Sequence, residues 1–152
     1  IFFTILFLSV TFNNVLAYKN DLKTQLNRLS WVDDIDLALK IALSENKLIL
    51  IEFMADWCPP CKRMEKETFS NEKVVKKLNE FILVKINIDN QQEIAQEFNG
   101  NAKKYGGIGV PNILFLDKKK NIVHRIIGFH SASELISVMD SVLKKTVYYI
   151  NE

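Results

Sequence analysis

The sequence predicts an α/β fold: a three-layer sandwich with a mixed central sheet and helices on both faces. Three observations predict it. Two nearly continuous apolar runs, Leu48–Met54 and 81–88, suit strands that are covered on both sides. Stretches with apolar residues at helical spacing separate them, and strands joined through helices imply parallel pairing. A third apolar run, Asn112–Leu116, is followed by the polar loop 117–121 and a pairing strand at Ile122–Ile127, so a closing hairpin adds an antiparallel pair. The order is helix, strand, helix, strand, helix, strand, strand, helix.

Residues 1–18 contain no Lys, Arg, Asp or Glu, and 1–12 form a hydrophobic run of signal-peptide length that Asn13 and Asn14 interrupt. Val15-Leu16-Ala17 has the small or short side chains of a cleavage site. Residues 1–17 are therefore expected to be a signal peptide. The alternatives are an N-terminal membrane anchor, though the run falls short of the roughly 18–20 residues that span a bilayer, or a buried core helix. Export would place both cysteines outside the reducing cytosol. Residues 18–30 form a polar N-terminal arm with Leu22, Leu26 and Leu29 at helical spacing, 31–146 the folded domain, and 147–152 a C-terminal tail.

Within the domain, Asp33 and Asp34 can cap a first helix whose buried face would carry Ile35, Leu37, Ala38, Leu39, Ile41, Ala42 and Leu43. A charged helical stretch at 62–68 follows the first strong strand. The helix restarts near Asn71 with Val74, Val75 and Leu78 inward. Residues 91–105 read as a helix loosened near Asn99-Gly100-Asn101, and 106–111 as a turn. Ser131 or Ser133 caps a last helix with Leu135, Ile136, Val138, Met139, Val142 and Leu143 on its apolar face.

Composition narrows the function. The 152 residues are 48% hydrophobic and 25% charged, an ordinary globular balance for one domain. Twenty basic against 18 acidic residues leave a net charge of +2, which gives no reason to invoke nucleic acid. Two cysteines are too few for a disulfide scaffold.

Those two, Cys58 and Cys61, stand where a buried strand ends and a helix begins. Free N–H groups at a helix start favour an anion, here the Cys58 thiolate. An ordinary thiol with a pKa of about 8.5 is only a few per cent ionised at neutral pH, whereas one lowered to about 7 is half ionised. The thiolate is the nucleophile of disulfide exchange. A spacing of three brings Cys61 to the same helix face, where it can resolve a mixed disulfide at Cys58. Pro59 fits the first helical turn, and Pro59-Pro60 stiffens the loop.

Half of a zinc site is one alternative, but beyond the cysteines only His124 and His130 could complete it, at an unfavourable spacing. A purely structural disulfide is another, although it would close too short a loop to restrict the chain much. Glu52 is a lone carboxylate in a two-sided apolar strand, costly unless paired or neutral. Its pKa should rise, which suits a proton acceptor for Cys61, unless it lies at an exposed strand end.

Trp57-Cys58-Pro59-Pro60-Cys61-Lys62 after Phe53-Met54-Ala55-Asp56, with Gly109-Val110-Pro111 some fifty residues on, resembles the thioredoxin superfamily. Trp31, Glu45-Asn46-Lys47, Cys61-Lys62-Arg63-Met64-Glu65 and Thr68-Phe69-Ser70 bring it closest to the C-terminal periplasmic domains of the DsbD thiol:disulfide interchange family and their stand-alone exported relatives. The resemblance covers residues 31–144 and implies a thioredoxin-like three-layer sandwich. It implies that Cys58 is the exposed attacking cysteine, Cys61 the buried resolving one, and Cys58–Cys61 a redox-active disulfide. Pro111 matches the family's cis-proline, which lies against the disulfide while the backbone of Val110 meets an extended substrate. Glu52 matches a buried acidic position, one methylene longer than the Asp of thioredoxins, and Glu65 a second acidic position. Trp57 matches the aromatic residue beside the attacking cysteine. The Pro-Pro dipeptide departs from the DsbD-like pattern and occurs in exported reductases of the cytochrome c maturation type.

Plainer roles stand beside these: core packing for Trp57, solvated helix positions for Glu65, Lys62 and Arg63, and structural or exposed histidines. The expected function is an exported, periplasmic thiol:disulfide oxidoreductase that reduces protein disulfides as a monomer, without metal or organic cofactor, and is recharged by a membrane thiol electron donor. The alternatives are a disulfide-donating oxidase or isomerase of the same fold and a non-enzymatic binding or assembly factor.

Overall fold

Strands with apolar side chains on both sides must be covered twice, and the chain does so with helices above and below one sheet. The computed structural model describes residues 29–150; the expected signal segment 1–17 and residues 18–28 of the arm lie outside the described residues. The elements run β1 (Trp31–Val32), α1 (Ile35–Glu45), β2 (Leu48–Met54), α2 (Pro59–Glu67), α3 (Glu72–Leu78), β3 (Phe81–Asn87), α4 (Gln92–Glu97), a 3₁₀ turn (Lys103–Tyr105), β4 (Asn112–Leu116), β5 (Ile122–Ile127) and α5 (Ala132–Ile150). The sheet order is β1-β3-β2-β4-β5. β1, β3 and β2 are parallel, and β4 is antiparallel to both β2 and β5. This is the expected mixed sheet, with β2 at its centre.

Strand alternation sorts the core into two layers. Ile49, Ile51 and Phe53 of β2, with Ile82, Val84 and Ile86 of β3 and Leu114 and Leu116 of β4, face α1 and α4. Leu48 and Leu50, with Phe81, Leu83, Ile113 and Phe115, face Met64 of α2, Val74 and Leu78 of α3, and Leu135 and Met139 of α5. Glu52 and Lys85 are adjacent partners in the β2–β3 register, so they share this second face.

Caps fix where the helices begin. The Asp34 carboxylate accepts from Leu37 N at 3.0 Å, and Asn71 caps α3. At α5 the cap is Ser131: its backbone N donates to Glu134 Oε2 at 2.7 Å and its Oγ accepts from Glu134 N at 3.4 Å, a capping box. Thr68 Oγ1 donates to the carbonyl of His130 at 2.7 Å and ties the end of α2 to the segment before α5.

Four features differ from expectation. β1 is a two-residue strand that only its pairing with Leu83 and Val84 creates. The helix expected over 91–105 stops at Glu97. Asn99 is left-handed (φ 50°), and at Gly100 a Cβ would lie 2.4 Å from the Phe53 ring, so the chain turns under the sheet before the 3₁₀ turn. Leu37 and Leu43, expected on the buried face of α1, are exposed, because Ile35, Ala38 and Ala42 already supply the single stripe that meets the sheet. α5 continues through Ile150, into the segment expected as a tail.

The segment before β4 is closely folded. Gly107 N donates to Ala102 O at 3.1 Å and Gly109 N to Asn101 O at 3.0 Å. A Cβ on Gly107 would lie 2.1 Å from the Asn101 carbonyl oxygen, a backbone atom that cannot swing aside, whereas one on Gly106 meets nothing within 4 Å. Gly107→Ala is therefore expected to lower unfolding stability by about 1–3 kcal/mol. Gly106→Ala, strained only by its positive φ of 79°, should cost about 1 kcal/mol. Urea melts of the two variants give the comparison.

Candidate active site

A helix that begins with two prolines has an unusual set of free donors. Pro59 and Pro60 occupy the first two positions of α2 and carry no N–H, so Cys61 supplies the first backbone donor of the helix. That donor goes to sulfur: Cys61 N lies 3.2 Å from Cys58 Sγ, and Cys58, with extended backbone (φ −89°, ψ 105°), is the N-cap residue. A cysteine thus takes the capping role usually held by Ser, Thr, Asp or Asn. The Cys58 carbonyl accepts from Lys62 N at 3.2 Å, and its own N–H donates to Ala55 O at 3.1 Å, closing the turn out of β2.

Cys58 and Cys61 form a disulfide with an S–S distance of 2.08 Å and a Cα–Cα distance of 5.3 Å. Both are buried to 2% exposure. The contrast between an exposed Cys58 and a buried Cys61 is thus absent from this disulfide form. Position in the helix start distinguishes them instead. The Val110–Pro111 peptide bond is cis, and the Pro111 carbonyl accepts from Gly128 N at 2.7 Å, which anchors the proline loop to the chain leaving β5.

Glu52 is buried at 1% exposure, which removes the exposed-strand-end alternative. Desolvation raises its carboxyl pKa to about 7, against the pull of the Lys85 ammonium and with the help of the Glu65 charge. Glu52 Oε2 makes no hydrogen bond; Lys85 Nζ stands 3.5 Å away. The same Nζ lies 2.8 Å from Glu65 Oε2 and 4.7 Å from the Trp31 ring centroid. Burial lowers the Lys85 pKa, but the two carboxylates outweigh it and the net shift is upward. Glu65, largely exposed at the surface, therefore reaches buried Glu52 through one shared ammonium. Lys85 was not singled out from the sequence. A lone cation within the apolar run 81–88 was the available signal, and the parallel register gives it meaning.

Trp57 is exposed rather than packed in the core. Its indole Nε1 donates to Asp89 Oδ2 at 2.6 Å, and Tyr105 OH donates to Asp89 Oδ1 at 2.8 Å. Arg63 is engaged elsewhere, with Glu67 at 3.0 Å and over the Phe129 ring at 3.8 Å. His130 Nδ1 lies 3.0 Å from the Gly128 carbonyl, and the His124 ring packs against Phe115. Among the described residues no cluster of three or more His, Cys, Asp or Glu could hold a metal, and no helix is long and apolar enough to cross a membrane.

Comparison with known proteins agrees with this arrangement. The family model for a thioredoxin-like domain matches residues 35–143. Thiol:disulfide interchange protein DsbD of Actinobacillus pleuropneumoniae is 31% identical over 104 residues, which is 67% of this chain and 17% of that protein. The DsbD of Salmonella paratyphi A is 34% identical over 109 residues, 69% of this chain and 18% of that protein. The chain thus matches less than a fifth of the length of these relatives. Among solved structures, a thioredoxin from Thermus thermophilus has a TM-score of 0.62 at 24% identity, covering 76% of this chain and 87% of that one. The oxidised C-terminal domain of Neisseria meningitidis DsbD has a TM-score of 0.56 at 24% identity, covering 74% and 98%. These two likenesses show the fold. The family match takes in both cysteines, Glu52 and the proline loop, and on that ground the chain belongs to the thioredoxin-like family.

Proposed function

We propose that this chain is an exported thiol:disulfide oxidoreductase that reduces disulfides in other proteins. The observation that carries the proposal is the Cys61 N–H directed at Cys58 Sγ at the start of α2, since a donor there stabilises a thiolate more than a thiol. The charge-free segment 1–18 supports export.

In the reaction, the Cys58 thiolate of the reduced form attacks one sulfur of a substrate disulfide. The Cys58–substrate bond forms, the substrate S–S bond breaks, and one substrate thiolate leaves. The Cys61 thiolate then attacks Cys58 Sγ, closing Cys58–Cys61 and releasing the second substrate thiolate. Two electrons pass from the dithiol to the substrate. Glu52, with a pKa near neutrality, is suited to take the Cys61 proton, and Glu65 tunes Glu52 through Lys85. Trp57, Val110 and Pro111 form the substrate-facing surface around the sulfurs. A membrane thiol donor returns the two electrons. No metal or organic cofactor takes part.

Cys58→Ser is expected to abolish reduction of a disulfide-bonded protein substrate. Cys61→Ser should accumulate a mixed disulfide that dithiothreitol releases, visible as a mass increase under non-reducing conditions. Full biological activity of Cys58→Ser would instead favour a binding factor. A reduction potential on the order of −270 mV, rather than −120 mV, is expected of a reductant when equilibrated against glutathione.

Glu52 also gives stability a pH dependence. Its folded pKa of about 7 exceeds the ordinary 4.5, so the native state holds a proton that the unfolded chain releases between these values. Stability therefore falls as pH rises from 4.5 through 7, by about 3 kcal/mol from this group. Glu52→Gln should match wild type near pH 4 and exceed it by up to about that amount near pH 8, and chemical denaturation at the two pH values measures the difference.

A further inference from the structure

One carboxylate beside the sulfur pair holds two aromatic rings. Asp89 lies two residues beyond the end of β3, and both its oxygens are used, one by the Trp57 indole and one by the Tyr105 hydroxyl. Its own backbone is fixed: Asp89 N donates to Asn87 Oδ1 at 3.0 Å, and Asn87 Nδ2 donates to Asp56 Oδ2 at 3.2 Å. Trp57 and Tyr105 nonetheless remain 44% and 41% exposed. Over both rings sits the Lys104 ammonium, 3.7 Å from the Trp57 centroid and 4.6 Å from that of Tyr105.

Ring faces attract a cation but accept none of its conventional hydrogen bonds. Lys104 has three N–H donors and forms no ion pair among the described residues. Both Asp89 oxygens are engaged by ring donors, though the carboxylate keeps its charge, so Lys104 is the group whose N–H donors can meet a ligand. The ring that this cation covers belongs to the residue directly before Cys58, on the approach a substrate disulfide would take to that sulfur.

We propose that Asp89, Trp57, Tyr105 and Lys104 form a carboxylate-accepting seat beside Cys58, which selects protein disulfides flanked by Asp or Glu. Lys104 makes the contact; Asp89 and Tyr105 are positioning residues. The proposal rests on the thiol exchange assigned above.

The test uses two disulfide-bonded peptides of equal length that differ only in Glu or Lys beside the cysteine. Wild-type chain should show a kcat/KM ratio of about two- to fivefold in favour of the Glu peptide at low salt, falling towards one in 1 M salt. Lys104→Glu should reverse the preference, while Lys103→Glu, the same change in net charge one residue away, should move it much less. Asp89→Asn separates a built seat from simple charge. Loss of a negative charge alone would raise the Glu preference. Loss of one ring bond, since the amide nitrogen accepts nothing, should lower it. Tyr105→Phe, which removes a bond and no charge, should lower it as well. Equal turnover of both peptides by wild type, equal effects of Lys103→Glu and Lys104→Glu, or a rise in Asp89→Asn would overturn the seat while leaving thiol exchange intact. Failure to reduce either peptide would count against the exchange reaction itself.

Discussion

The bond from the Cys61 amide to the Cys58 sulfur is where the backbone and the chemistry of this chain meet. A strand buried on both faces has to end at the edge of the sheet, and a helix that starts there leaves N–H groups without partners. Pro59 and Pro60 remove two of those donors and are compatible with the first helical turn. The remaining donor at Cys61 needs an acceptor, and Cys58 is the only side chain at the cap position. The same contact that starts α2 thus aims an N–H donor at one of the two sulfurs and not at the other. Because both cysteines are equally buried in the disulfide form, this electrostatic asymmetry carries the distinction between them.

The polar groups under the site are affordable because the sheet around them is so apolar. A fully buried Leu, Ile or Phe contributes about 1.5–3 kcal/mol, so one or two neighbours such as Leu50 and Ile113 offset the few kcal/mol that a buried carboxylate costs. Lys85 prevents that cost from becoming larger. It faces Glu52 across the β2–β3 register and Glu65 across the surface of α2, and its ammonium lies over the Trp31 ring. The short strand β1, two residues long, therefore matters to the site: pairing with β3 holds Trp31 beside the cation.

On the other side of the sulfurs the governing element is the break after α4. Gly100 approaches the Phe53 ring too closely for any side chain, and Arg125 Nη1 ties the strand edge to Asn99 O at 3.0 Å and to Asn112 Oδ1 at 3.2 Å. With that turn fixed, the 3₁₀ segment delivers Lys104 and Tyr105 to Trp57, and the following loop delivers Val110 and Pro111. Residues more than thirty positions apart meet here without any direct pattern in the chain to announce it.

Much of this molecule was legible in its residues. The apolar runs marked β2, β3 and β4. Asp33-Asp34, the stretch around Asn71 and Ser131 or Ser133 marked helix starts, of which the structure uses Asp34, Asn71 and Ser131 as caps, and Cys58-Pro59-Pro60-Cys61 was expected at the strand–helix junction where it stands. Glu52 stood out as a charge in an apolar strand, and its burial follows from that setting. These are local matters, decided by residues within a turn or a strand of one another. The tertiary structure alone decided that Lys85 bridges Glu52 and Glu65, that Asp89 joins Trp57 to Tyr105, and that α4 ends at Glu97. Each of those depends on strand register or on close approach between segments distant in the chain, and such contacts exist only once the sheet has aligned the partners.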